Sequence, residues 1–182
     1  MIELEHSLVE ALLKEDRKAQ YAFYTKCFPL LVGIVRRFHH NHEDQVTIVN
    51  NAFMKILNHL HSFDGRHFES WIRRIVTNEI IDDYRRNKKY KDAFLCVENF
   101  TSEETSDSEI NEQITKEYLQ SLLYALSVPC RAVFNLHVLE GYAHKEIGEM
   151  LGISEQTSKW HVKMARKRLK ELLKKENQYE ER

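Results

Sequence analysis

The chain has 182 residues and a mass of 21.7 kDa, room for one ordinary domain or two small ones and too little for a large enzyme barrel. Charged residues make up 30% and hydrophobic ones 42%, with five Gly and two Pro, a balance that favours helices over a turn-rich sandwich. Lys and Arg total 27 against 28 Asp and Glu, which excludes a general pull toward nucleic acid or membrane; any such pull must come from charge segregation.

From Asp16 to His40 the apolar residues Ala19, Ala22, Phe23, Cys27, Leu30, Leu31, Ile34, Val35 and Phe38 recur at three- and four-residue steps, which predicts an amphipathic helix that Pro29 kinks or splits. The apolar run around Phe28 to Val35 falls short of the roughly 20 residues of a membrane span, and Met1 to Glu5 lacks the basic and apolar regions of a secretory signal. The expectation is a cytoplasmic chain with no membrane insertion. A second helix is predicted over Val46 to Leu60, ending near the turn signal Asp64-Gly65, and a third from Phe68 to about Tyr90. These helices form the first expected domain, residues 1–91.

Between Asp92 and Glu117, eight acidic residues face the single base Lys116, interleaved with Ser and Thr, so residues 92–111 read as an acidic, flexible linker. Periodicity resumes at Ile110 and restarts after Pro129, giving a second helical domain over 112–182. The expected fold is all-α, two small helical domains joined by that linker. Cys27, Cys96 and Cys130 are odd in number and far apart, which predicts reduced and mostly buried thiols, with no disulfide framework.

The most informative stretch is Gly141 to Leu173. Ala143, Ile147, Met150 and Leu151 supply the inner face of a short helix, Gly152 stops it, and Ser154 caps the next helix, with Glu155 suited to its positive end. That is a helix-turn-helix. The second helix turns Ser158, Val162, Ala165, Leu169 and Leu172 inward, and over 155–175 eight basic residues outnumber Glu155 and Glu171. A basic face is usually only solvated; here it coincides with the turn chemistry on one element, which favours duplex DNA. Gln156, Thr157, Lys159 and Lys163 are placed for groove contact. Trp160 has three candidate places: on DNA, over the first helix, or against the other domain.

A second basic site, Arg85, Arg86, Lys88, Lys89 and Lys91, follows the helix that carries Trp71, and an aromatic helix with a basic tail suits a single strand. Phe68 and Trp71 read as core, Phe63 and Tyr84 as freer aromatics. Ten histidines invite a metal, yet no three or four ligands stand at zinc spacing and no H-E-x-x-H occurs. Nor does the sequence carry a phosphate loop or nucleophile elbow, so neither an enzyme nor a cofactor is expected.

The chain resembles a bacterial sigma factor of the extracytoplasmic-function type. Trp71, Ile72, Asn78, Asp82, Arg85 and Arg86 are similar to the end of the family's second conserved region. Val128, Pro129, Arg131, Phe134, Gly141, Glu146, Ile147, Leu151, Ser154, Thr157, Ala165 and Arg166 are similar to its fourth. The resemblance implies a transcription initiation factor whose partners are core RNA polymerase, through its clamp and flap, and promoter DNA, with a possible anti-sigma protein. It implies duplex reading of the minus-thirty-five element by Ser154, Glu155, Gln156, Thr157, Lys159, Trp160, His161, Lys163 and Arg166. It implies capture of a flipped minus-ten base by Phe63, Asp64, Gly65, Arg66 and His67 with Asn78, while Arg73, Arg74, Arg85 and Arg86 hold phosphates. The polymerase contact would involve Val46, Thr47, Asn50, Asn51 and Met54. At Val46, Thr47 and Asn50 the chain departs from the acidic pair and Gln that members usually carry. Two rival readings are a stand-alone helix-turn-helix regulator on palindromic sites and a His-rich metal enzyme.

Overall fold

The computed structural model describes residues 6–64, 66–87 and 116–180, and the expected linker lies outside them. Among the described residues every regular element is helical. The chain divides into two compact units, Met1–Asp83 and Tyr84–Arg182.

The first unit opens with α1 (His6–Leu13), which lies ahead of the first helix expected from sequence, followed by α2 (Arg17–Phe38), α3 (His42–His59) and α4 (Phe68–Arg86), whose last three residues fall in the second unit. Asp16 caps α2 by accepting from the Ala19 amide at 2.8 Å, and Asn41 caps α3 by accepting from the Glu43 amide at 2.7 Å. Contrary to the expected split, α2 runs unbroken through Pro29. Proline cannot donate to the carbonyl four residues back, but Thr25 and Pro29 both lie on the exposed side of α2, so the carbonyl left without that donor is not on the buried face. The opposite face buries Phe23, Cys27, Leu31, Ile34, Val35 and Phe38. Phe23 meets Phe53 of α3 with ring centroids 5.8 Å apart, and α3 also buries Ile48, Val49, Ala52 and Ile56, as α4 buries Ile72, Val76 and Ile80. Burial pushes the Cys27 thiol up to about 12, so it stays protonated; Cys130 is also a buried free thiol, and Cys96 lies outside the described residues.

The second unit contains α5 (Lys116–Tyr124), α6 (Val128–Phe134), α7 (His144–Leu151) and α8 (Glu155–Glu180). Pro129 sits at the start of α6, where a missing N–H costs nothing. The chain then widens into a π turn, Asn135–Leu139, closed by the Glu140 amide donating to the Asn135 carbonyl at 3.0 Å. Leu126, Cys130 and Ala165 are buried together, with Leu123, Phe134, Met164 and Leu169 packed on them.

Candidate nucleic-acid interface

The helix-turn-helix is built from local chemistry. Glu146 accepts from the Ala143 amide at 2.7 Å and fixes the start of α7. Gly152 ends it at φ +70°, a left-handed conformation that costs glycine little. Gly148 matters as much, and nothing in the sequence pattern singled it out. A Cβ there would stand 2.8 Å from the Ile153 carbonyl oxygen, so the turn packs directly on the backbone of α7. Ser154 caps α8 by accepting from the Thr157 amide at 3.0 Å, and its hydroxyl lies 2.8 Å from the Thr157 hydroxyl. A further tie joins the two helices: His144 Nδ1 lies 2.9 Å from Ser158 Oγ, with Ser158 fully buried. The His144 ring stacks on His137 with centroids 4.0 Å apart, and desolvation, then the neighbouring His137, hold its pKa below the ordinary histidine value.

Along α8 the buried stripe is Ser158, His161, Val162 and Ala165, with Leu169 half-buried. Gln156, Lys159, Lys163 and Arg166 are exposed on the remaining surface, as is Glu155, while Thr157 and Trp160 are half-buried. Lys159 pairs with Glu155 at 2.6 Å. His161 departs from its expected place among the reading residues. It is 1% exposed, its Nδ1 is 3.5 Å from Cys130 Sγ, and burial drops its pKa to about 4. The cause is the helical period: position 161 follows Ser158 by three residues and falls on the inward stripe. On α7, Ile147 is buried and Met150 and Leu151 half-buried, whereas Ala143 lies exposed just before the helix, off the inner face expected for it.

Of the candidate single-strand residues, Phe63, Asp64, Arg66 and His67 lie just ahead of α4, Arg73, Arg74 and Asn78 lie along it, and Arg85 and Arg86 lie at its end. The Phe63 ring lies 5.2 Å from Phe68 and 5.1 Å from Trp71, an aromatic group with Phe68 buried and the other two half-buried. Asp64 and Arg66 are exposed, Asp64 accepting from the Arg66 amide at 3.0 Å; His67 is exposed at φ +52°, and Gly65 lies outside the described residues. Arg73 pairs with Glu69 at 3.0 Å, while Arg74 and Asn78, one turn apart, are exposed. Arg85 and Arg86 are exposed at the end of α4, and Lys88, Lys89 and Lys91 lie outside the described residues. Tyr84 is not the free aromatic expected, being only 2% exposed.

On α3, Val46, Thr47, Asn50 and Met54 are all exposed, with Val46 and Met54 among the most exposed large apolar side chains described. Asn51 behaves differently from the other four, because its amide donates to Glu79 at 3.2 Å. Glu79 is buried and also takes the Lys55 ammonium, which in turn reaches Asp82 at 3.0 Å. The hydrogen bond to Glu79 is the main reason the Lys55 pKa is raised.

Residues 23–90 match the family Sigma-70 region 2, and residues 116–169 match Sigma-70, region 4. The chain is 37% identical over 126 residues to RNA polymerase sigma factor SigZ of Bacillus subtilis, covering 67% of this chain and 68% of that one. The chain belongs to the sigma-70 family of RNA polymerase sigma factors, in its ECF type. This ECF sigma factor is also 26% identical over 125 residues to ECF RNA polymerase sigma factor SigM of Bacillus subtilis, covering 69% of its own length and 77% of that relative. The solved structure of the sigma factor RpoE from Bartonella quintana, in complex with the anti-sigma factor NepR, shares its fold. The TM-score is 0.50 at 22% identity, over 84% of this chain and 97% of that one. Family membership makes the protein a transcription initiation factor. Among the described residues, no helix is long and apolar enough to cross a membrane.

Proposed function

We propose that this sigma factor recruits core RNA polymerase in the cytoplasm, reads a duplex promoter element with α8 and captures a base of the melted strand beside the Phe63, Phe68 and Trp71 rings. The observation that carries the duplex reading is the division of α8. One stripe is buried, and Gln156, Lys159, Lys163 and Arg166 stand on the exposed surface of a helix capped by Ser154. Such a helix fits the major groove, where lysine and arginine take guanine O6 and N7 and glutamine takes adenine. For the single strand, extruding a base costs a few kcal/mol, and stacking on an aromatic ring returns about 1–3 kcal/mol. Half-buried Phe63 supplies the ring, Asp64, Arg66 and His67 the polar rim, with Asn78 on the following helix and Arg73, Arg74, Arg85 and Arg86 for phosphates.

For the polymerase contact, the exposed Val46, Thr47, Asn50 and Met54 support a more apolar patch than the acidic pair and Gln of other members, with Asn51 at its edge. The initiation mechanism is binding and positioning, with no catalytic step assigned to this chain. The proposal includes an anti-sigma protein that covers these faces when the factor is silent.

The test is transcription in vitro with core RNA polymerase and genomic promoter DNA, with and without the full chain. New discrete start sites with a shared upstream sequence are expected. No new transcript together with no co-elution with core would overturn the polymerase role and leave a stand-alone DNA-binding regulator. Purification from the native cell that returns only polymerase under every condition would remove the anti-sigma partner.

A further inference from the structure

We infer that Glu155 and Lys159 form one reading unit that selects a C·G base pair in the duplex element, the carboxylate accepting from the cytosine N4 amino group and the ammonium donating to guanine O6 and N7. This rests on the duplex-reading role proposed above for α8. The two side chains stand one turn apart near the start of the helix, both about half exposed, with Nζ and Oε1 2.6 Å apart. Their line continues into Lys163 and Arg166, all exposed, and runs alongside the buried stripe of Ser158, Val162 and Ala165.

An acidic side chain on a DNA-facing helix needs a reason, because it repels the phosphates that supply most nonspecific affinity. The positive end of α8 favours a carboxylate at 155 by only about 0.3–1 kcal/mol at an exposed site, and the cap itself is Ser154, which accepts from the Thr157 amide. Nor does Glu155 brace the fold, being exposed and paired with a residue of its own helix. In the free protein the pair neutralises itself, and Lys159, first by its hydrogen bond and then by its charge, holds the Glu155 pKa below the ordinary carboxylate range, so the carboxylate is ionised at neutral pH. An exposed i, i+4 ion pair is weak. Each partner can therefore leave the other for a base edge of opposite polarity. Among the four base pairs only C·G offers an amino donor on the pyrimidine beside two acceptors on its purine partner, which matches one acceptor and one cationic donor held side by side.

The test presents a duplex library, randomised across the upstream element, to holoenzyme reconstituted from core polymerase and the full chain, and sequences the bound fraction. The wild type should select a motif in which one cytosine is preferred by about tenfold or more. Glu155→Ala should erase that preference, leave the other positions in place and tighten binding to unrelated DNA. Lys159→Ala should erase the same base pair while weakening binding to all sequences. Glu155→Gln, which keeps the side-chain length, should move the preference from cytosine toward adenine, the base glutamine reads through N6 and N7. An unchanged motif in Glu155→Ala overturns the inference while leaving duplex reading by α8 intact, and so does loss of different base pairs in the two alanine variants. A wild type that selects no motif overturns duplex reading itself, and the inference with it.

Discussion

In the first unit four phenylalanines, Phe23, Phe38, Phe53 and Phe68, are buried alongside His39, Thr77 and Glu79, whereas the second buries no phenylalanine among the described residues and keeps Arg131, Asn135, Ser158 and His161 inside, beside small residues such as Ala132, Val133 and Ala165. The stability of an apolar interior comes from area removed from water and is indifferent to pH. A polar interior depends on satisfied hydrogen bonds and on neutral forms of titratable groups. The contrast has a functional side. The second unit exposes a long basic face from a helix whose other face must be buried, so the inward stripe of α8 carries residues of modest size and mixed polarity.

The strongest way to break this comparison is Phe23→Ala. It should cost the first unit about 3–5 kcal/mol in denaturant unfolding, because Phe23 is fully buried against the rings of Phe53 and Phe68, each 5.8 Å away. A loss under about 1 kcal/mol would mean that this interior relaxes around the cavity rather than resting on packed area.

Acid should reach the second unit through His161. His161 titrates near 4 in the fold, below its ordinary 6.5, so between these values the unfolded chain binds a proton that the folded chain excludes. Stability is therefore complete above about pH 6.5 and falls as pH drops, by about 3 kcal/mol at pH 4. The check is the imidazole proton resonance of His161 followed against pH, where a midpoint near 6.5 would remove the polar interior as a source of acid sensitivity. Replacing His161 with leucine should flatten this contribution to the pH dependence.

The smallest expected effect sharpens the comparison at the helix start. Ser154→Ala removes the hydroxyl that accepts from the Thr157 amide and should cost about 1 kcal/mol in thermal unfolding. Duplex binding should weaken as the first turn of α8 frays. Full stability with unchanged binding would show that the Ser154 hydroxyl is replaced there by water.

The period of apolar residues made α2, α3, α4 and α8 legible in the sequence, and Gly152 and Ser154 marked the turn because their roles are local. Family resemblance, rather than periodicity, assembled the single-strand and polymerase residues into groups. What the sequence left hidden depends on distant neighbours. Asn51 meets Glu79 across 28 positions of chain, which no spacing rule encodes. His161 reads as a polar residue on a basic helix, although its register with Ser158 and Val162 already pointed inward. Pro29 reads as a breaker because composition does not say that its side of α2 faces solvent. Gly148 reads only as a weak helix former, since the surface pressing on it belongs to a turn five residues later.

That contact at Gly148 bears on how the protein can change its taste in promoters. With the Ile153 carbonyl against bare backbone, any side chain at position 148 would wedge the turn away from α7 and swing the axis of α8. The angle between the two helices is thus locked by a missing methyl group. New promoter preferences are open to drift through the exposed residues of α8, one letter at a time, while the hinge on which they are mounted stays closed to gradual variation.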